Sequence, residues 1–183
     1  MKITEFCYKH KACRQVREWA LSLGIETMEE LWLRDDINPE RRIWIATRPC
    51  VLTDRKLRPF ACWCVRQVWH LLHDERSRNA VVVAERFANG DATTKEMRAA
   101  YAAARAAIAN YAAYAATDAA SAAAFIAAYA AAYAADASFI TARSASYAAN
   151  FAGYDADAAT SAAAYAAQAE YMIKNTKPNF GGQ

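Results

Sequence analysis

Glycine and proline are scarce, at 5 and 4 of 183 residues. So little glycine, without a period of three, excludes a collagen-like helix. It also leaves no phosphate-cradling loop and no serine flanked by glycines, so nucleotide hydrolysis and serine-elbow chemistry have no motif to rest on. Long strongly apolar runs are missing too. The alanine tract is interrupted by Arg105, Asn110, Asp118, Asp136 and Arg143, and no membrane span is expected. The opening Met1-Lys2-Ile3-Thr4-Glu5 has no apolar signal core, so the expected location is the cytoplasm, where five cysteines, an odd number, are most simply reduced thiols.

What is abundant is alanine. There are 47 alanines, and 39 of them fall in the 71 residues from Ala99 to Ala169. The net charge of +3 hides an asymmetry: residues 1–98 carry 18 Lys+Arg against 14 Asp+Glu, and residues 99–183 carry 4 against 5. All five tryptophans, all three histidines and all five cysteines also precede position 99. The chain divides into a charged, Trp-rich helical head (1–92), an Ala/Tyr-rich helical body (93–175) and a flexible tail (176–183), with head and body packing as one unit.

In the head, Tyr8 to Leu23 reads as one amphipathic helix, with Ala12, Val16, Trp19, Ala20 and Leu23 on its apolar face and Gly24 as its left-handed stop. Thr27 and Glu30 have capping-box spacing and open a short helix through Leu33, ended by Asp35, Asp36, Asn38 and Pro39. Arg41 to Thr47 forms the next piece. Another helix starts at Thr53-Asp54 and runs toward His73; Pro59 lies deep enough in it to predict a kink or a start delayed to about Arg58. Ser77 to Ala88 is read as helix rather than strand, stopped by Gly90.

Six segments carry a resemblance. They are Thr27-Met28-Glu29-Glu30-Leu31-Trp32, Arg42-Ile43-Trp44-Ile45-Ala46, Thr47-Arg48-Pro49-Cys50-Val51-Leu52-Thr53-Asp54-Arg55, Phe60-Ala61-Cys62-Trp63-Cys64, His73-Asp74-Glu75-Arg76-Ser77-Arg78-Asn79-Ala80 and Ala84-Glu85-Arg86-Phe87-Ala88-Asn89-Gly90-Asp91-Ala92-Thr93. Together with the alanine-rich tail, they resemble a bacterial and phage-borne immunity-protein-like family, over about residues 10–171. The resemblance implies an all-helical protein of a bacterium or a phage-infected host cell. It implies no catalytic residues.

In the body, Thr93 and Glu96 repeat the capping-box spacing, and no Gly or Pro occurs between Gly90 and Gly153. Alanine is the best helix former, so the tract reads as helix almost throughout. One rod of about 60 residues would reach roughly 90 Å, too long for an isolated globular chain. Aromatic phase locates the breaks. Tyr111, Tyr114, Phe125, Tyr129 and Tyr133 share one stripe, whereas Tyr147, Phe151, Tyr154 and Tyr165 define another. Breaks are predicted near Asp136 and at Gly153-Tyr154-Asp155, with a less favoured one near Thr117-Asp118. The expected fold class is all-α: compact N-terminal helices followed by two to four antiparallel Ala/Tyr-rich helices, as a bundle or short solenoid.

Candidate chemistry is thin. Cys62, Cys64, His70 and His73 are metal-ligand types within twelve residues, but the two cysteines point about 160° apart on a helix and cannot converge with the histidines on a tetrahedral ion. Cys64 and His70 lie too far apart on one helix for a nucleophile–base pair. No catalytic residue, metal or cofactor is assigned. Between Arg41 and Arg86 ten Lys/Arg residues are interleaved with Trp44, Phe60, Trp63 and Trp69, a composition suited to gripping anions and stacking on rings. Arg66, Trp69, Arg76 and Arg78 are the candidate ligand-binding residues. Arg76-Ser77-Arg78 falls at a helix start, where backbone N–H groups add to the guanidinium charge. The expectation is a non-enzymatic binding protein that sequesters or blocks a partner in immunity or anti-defence. That partner is a protein target or a small anionic nucleotide, and the chain self-associates into a homo-oligomer. The alternative is a small nucleic-acid-binding protein using the Arg/Trp-rich head.

Overall fold

The computed structural model describes residues 1–112, 131 and 158–181. Among them are eight α-helices and no strand, so the all-α class holds. The breaks predicted near Thr117-Asp118, Asp136 and Gly153-Asp155 lie outside the described residues.

The first predicted helix is two. Helix α1 spans Ile3–Lys9 and α2 spans Arg14–Ser22. Lys11 lies between them at φ +50°, in the left-handed region that interrupts a helix. The break lets α1 turn Ile3, Phe6 and Cys7 into the core while α2 buries Ala20 on a separate axis. Gly24, at φ +67°, ends α2 as expected. Thr27 then opens α3 (Met28–Leu33) through a complete capping box: its hydroxyl accepts from Glu30 N at 3.2 Å, and the Glu30 carboxylate accepts from Thr27 N at 3.1 Å.

Pro39 begins a helix instead of ending one. Asn38 caps α4 (Pro39–Ala46), and proline at the first helical position loses no hydrogen bond there. Helix α5 runs Asp54–Gln67 straight through Pro59, so the delayed start is not observed. Lys56 and Leu57 N–H groups close the first turn on the Thr53 carbonyl at 2.9 and 3.0 Å, while Leu57, Phe60, Ala61, Cys64 and Val65 are buried. That burial outweighs one missing N–H in a stretch where Arg55 is exposed. The helix stops short of His73, in a 3₁₀ turn at Trp69–Leu71. Helix α6 (Glu75–Asn89) starts on an Asp74 cap and ends at Gly90, φ +90°.

A second complete capping box, Thr93 with Glu96, opens α7 (Thr94–Ala112). Its Met97, Ala100, Ala104 and Ile108 recur at helical spacing on the buried face. Helix α8 spans Ala158–Asn175 and buries Gln168, Ala169 and Met172. Helix α6 packs on α7 and on α5, and α8 packs on α4 and α5. One core cluster holds Phe6, Met28, Leu31, Phe60 and Leu72 from the head together with Met97, Ile108 and Met172 from the Ala-rich helices.

The segment 176–181, read in the sequence as part of a flexible tail, is docked on the head. The Thr176 hydroxyl donates to the Met172 carbonyl at 2.7 Å, and Asn179 N donates to the Val51 carbonyl at 2.8 Å. Phe180 is buried, with its ring 6.0 Å from Phe6 and 6.3 Å from Trp32. Burying one phenylalanine is worth about 1.5–3 kcal/mol, enough to order a short strap.

Two buried arginines stiffen the head. The Arg42 guanidinium stacks 5.1 Å from the Trp32 ring and donates to the Trp32 carbonyl at 2.6 Å and to the Arg34 carbonyl. It thereby caps the C-terminal end of α3, whose last carbonyls have no helical partner. Arg58, buried in α5, stacks 5.3 Å from Phe87 of α6.

Candidate functional site

A concavity of about 410 Å³ lies between α2 and α4, within the ~300–1,000 Å³ range of small-molecule clefts. Helix α2 contributes Gln15, Val16 and Trp19, which share a face through their spacing; α4 contributes Glu40, Arg41 and Trp44. The Asn38 side chain accepts from Arg41 N at 3.2 Å and so fixes the first turn that aims Arg41. The Arg41 guanidinium lies 4.2 Å from the Trp19 ring centre. Behind it, Trp44 is backed by Arg48 at 4.7 Å and meets Phe6 edge-on at 6.2 Å. Arg48 is anchored by donating to the Trp44 carbonyl at 2.9 Å. Near the rim, burial and then the Glu40 carboxylate push the Tyr165 hydroxyl pKa of α8 upward.

Arg41 differs from most arginines of the head. Arg34 is paired with Asp36, Arg66 with Glu85, Arg76 with Asp74, Arg78 with Glu75 and Arg86 with Glu96; Arg42 and Arg48 donate to carbonyls. Among the described residues no side chain or carbonyl accepts from the half-buried Arg41 guanidinium, which stacks on the face of Trp19. Stacking covers a guanidinium's face and leaves its N–H edges, the groups that bind a carboxylate or phosphate bidentately.

The residues singled out in the sequence cluster elsewhere. Trp69, in the 3₁₀ turn, has the Arg66 guanidinium 4.0 Å from its ring and that of Arg78 at 5.8 Å. Arg66 donates to both Glu85 oxygens at 2.8 and 2.6 Å. Arg78 donates to the Leu72 carbonyl at 2.6 Å and to Glu75 at 3.2 Å. Arg76 closes on Asp74 at 3.0 and 2.7 Å. The Asp74 carboxylate also accepts from Arg76 N at 2.8 Å, so the anion at the start of α6 comes from the chain itself. The Arg76 guanidinium, as the first cause, holds the Asp74 pKa below the usual carboxylate range. Two of the three arginines, Arg66 and Arg78, thus converge on the Trp69 indole, and all three have carboxylate partners.

The thiol and imidazole candidates separate. Cys62 and Cys64 are buried under Tyr171, whose ring lies 4.8 Å from Trp63 and 5.8 Å from Phe60, while His70 and His73 are exposed. Burial, reinforced by Glu85, pushes the Cys62 pKa up to about 12, and burial raises Cys64 as well. Neither is an activated nucleophile at neutral pH. All five cysteines are free thiols. Among the described residues, no group of three or more His, Cys, Asp or Glu side chains is placed to hold a metal ion, and no helix is long and apolar enough to cross a membrane.

Sequence reasoning placed Trp19 on an apolar helix face and Trp44 among the aromatics between the arginines, but missed that α2 and α4 face each other. The readable signal was an arginine in the first turn of a Pro-initiated helix, three residues after its cap Asn38. Fold and groove together define an all-α protein with an Arg/Trp-lined cleft in its head. Comparison of the chain with protein-family models, with curated proteins and with solved structures finds no match.

Proposed function

We propose that this chain is a non-enzymatic helical binding protein that acts by holding a partner, in the setting of bacterial or phage immunity and anti-defence suggested by its sequence resemblance. The observation that carries the reading is the α2–α4 cleft, where a half-buried arginine stacked on Trp19 has no acceptor among the described residues. A half-buried donor set with no acceptor among the described residues is binding capacity not yet used, because each charge-assisted hydrogen bond it can form is worth about 1.5–3 kcal/mol. The sealed, high-pKa thiols Cys62 and Cys64 weigh against nucleophilic chemistry. Sequestration is a sufficient mode of action for such a protein, since a ligand held in a cleft is removed from whatever else reads it.

The nucleic-acid alternative rests on the arginines around Trp69. Their pairing with Glu85, Asp74 and Glu75 weakens it, because phosphates would have to displace carboxylates already in place. Self-association through the Ala/Tyr-rich helices belongs to the same proposal. Light scattering that gives only the 20.2 kDa chain mass would remove it.

Copurification from a bacterial lysate, with mass spectrometry of proteins and small molecules, tests the binding reading. The native chain is compared with a Trp19→Ala/Arg41→Gln variant. A species retained by the native chain and lost from the variant supports it. No retained species, or equal retention by both, overturns it.

A further inference from the structure

We infer that the α2–α4 cleft binds a mononucleotide-sized anion that carries a flat ring, with Arg41 as its anion anchor; the inference rests on the binding reading above. The volume, about 410 Å³, admits one such molecule. Its walls offer three kinds of group in one place: the N–H edges of Arg41, the indoles of Trp19 and Trp44, and the polar side chains of Gln15 and Glu40. An anion alone would use only the first, and a neutral apolar ligand only the second. A nucleoside monophosphate uses all three. Its phosphate sits in the plane of the guanidinium, its base packs against the indole surface left open by Arg41 and Arg48, and a ribose hydroxyl or base amine donates to the Glu40 carboxylate.

The position of Glu40 sharpens the class. A carboxylate on the same wall disfavours a second phosphate beside it and accepts from hydroxyl or amine donors. Polyphosphates and extended nucleic acid therefore fit less well than a single phosphate on a sugar. Arg34, held by Asp36, and Arg48, held by the Trp44 carbonyl, do not compete for this ligand.

The test uses the full chain and the tryptophan fluorescence that the cleft supplies. Adenosine, guanosine, cytidine and uridine 5′-monophosphates are titrated separately, with adenosine and inorganic phosphate as single-feature probes. At least one monophosphate is expected to quench the fluorescence saturably and raise the melting temperature, and to bind at least about tenfold more tightly than adenosine or phosphate alone. Arg41→Gln is expected to weaken binding by about tenfold or more, Arg41→Lys less, and Arg66→Gln not at all. Circular dichroism melts confirm that each variant is folded. Absence of saturable binding by all four monophosphates, or equal binding by Arg41→Gln, overturns the inference. If the monophosphates fail while the copurification experiment yields a species lost from the cleft variant, the ligand class is wrong and the binding reading stands. If both fail, both are wrong.

Discussion

Arg66 and Glu85 meet as a two-point ion pair, 2.8 and 2.6 Å, with the Trp69 ring 4.0 Å from the guanidinium. The pair ties α5 to α6 and spends the charge that the sequence offers to an outside anion. Glu85→Gln is expected to leave stability within about 1 kcal/mol, since both side chains are about a third exposed and solvent screens them. It is also expected to create salt-sensitive binding to an anionic column or oligonucleotide that the native chain lacks. Unchanged retention at low salt would show that Arg66 was never restrained by its partner.

Arg42 gives the opposite kind of prediction. Its side chain is buried and its donors serve the last carbonyls of α3. Arg42→Ala strips those carbonyls and leaves a void beside Trp32. Urea denaturation is expected to show a loss of about 2–4 kcal/mol. A loss below about 1 kcal/mol would mean that water replaces the guanidinium without penalty.

Phe180 is expected to matter for stability although it lies near the chain end. Its burial against Phe6 and Trp32 predicts that Phe180→Ala costs about 3 kcal/mol and exposes the segment after Asn175 to protease. Equal melting temperatures for native and variant chains would contradict the docked strap.

Acid should destabilise the protein through its capping and paired carboxylates. Glu30 and Glu96 accept from capping backbone N–H groups and Asp74 from Arg76, so all three have folded pKa values below their ordinary ones. A lowered folded pKa contributes stability that is fully present above the unfolded value and is lost as pH falls through the folded one. The melting temperature is therefore expected to hold down to about pH 5 and to fall below about pH 4. Asp74→Asn should flatten part of that fall, and an identical acid limb in the variant would remove Asp74 from the account.

Thiol labelling at pH 8 should divide the five cysteines. Cys13 and Cys50 are exposed, whereas Cys7, Cys62 and Cys64 are buried and have raised pKa values. Two thiols are expected to react quickly and three only on unfolding. Fast reaction of Cys62 or Cys64 would reopen a nucleophilic role.

Local signals in the sequence were legible where the chemistry was local. The boxes Thr27–Glu30 and Thr93–Glu96 and the stops Gly24 and Gly90 all act within four residues of themselves, and each stands as read. The misreadings have a common cause. The break at Lys11, the unbroken run through Pro59 and the docking of Phe180 are decided by what the opposing element buries, which periodicity cannot see. The binding residues follow the same division. Trp69 and its arginines were found because they lie close in sequence, while the Trp19–Arg41 stack joins helices whose packing angle no motif encodes.

The strap at Phe180 bears on the order in which the molecule is made. Phe6, from the first helix, completes its aromatic contacts only when a ring from the far end of the chain arrives. A contact that spans almost the whole sequence is slow to close. On the ribosome the head must wait, its Phe6 and Trp32 unsealed, until Phe180 emerges. Completion of this core therefore waits for position 180, and truncation before it removes the step that finishes it.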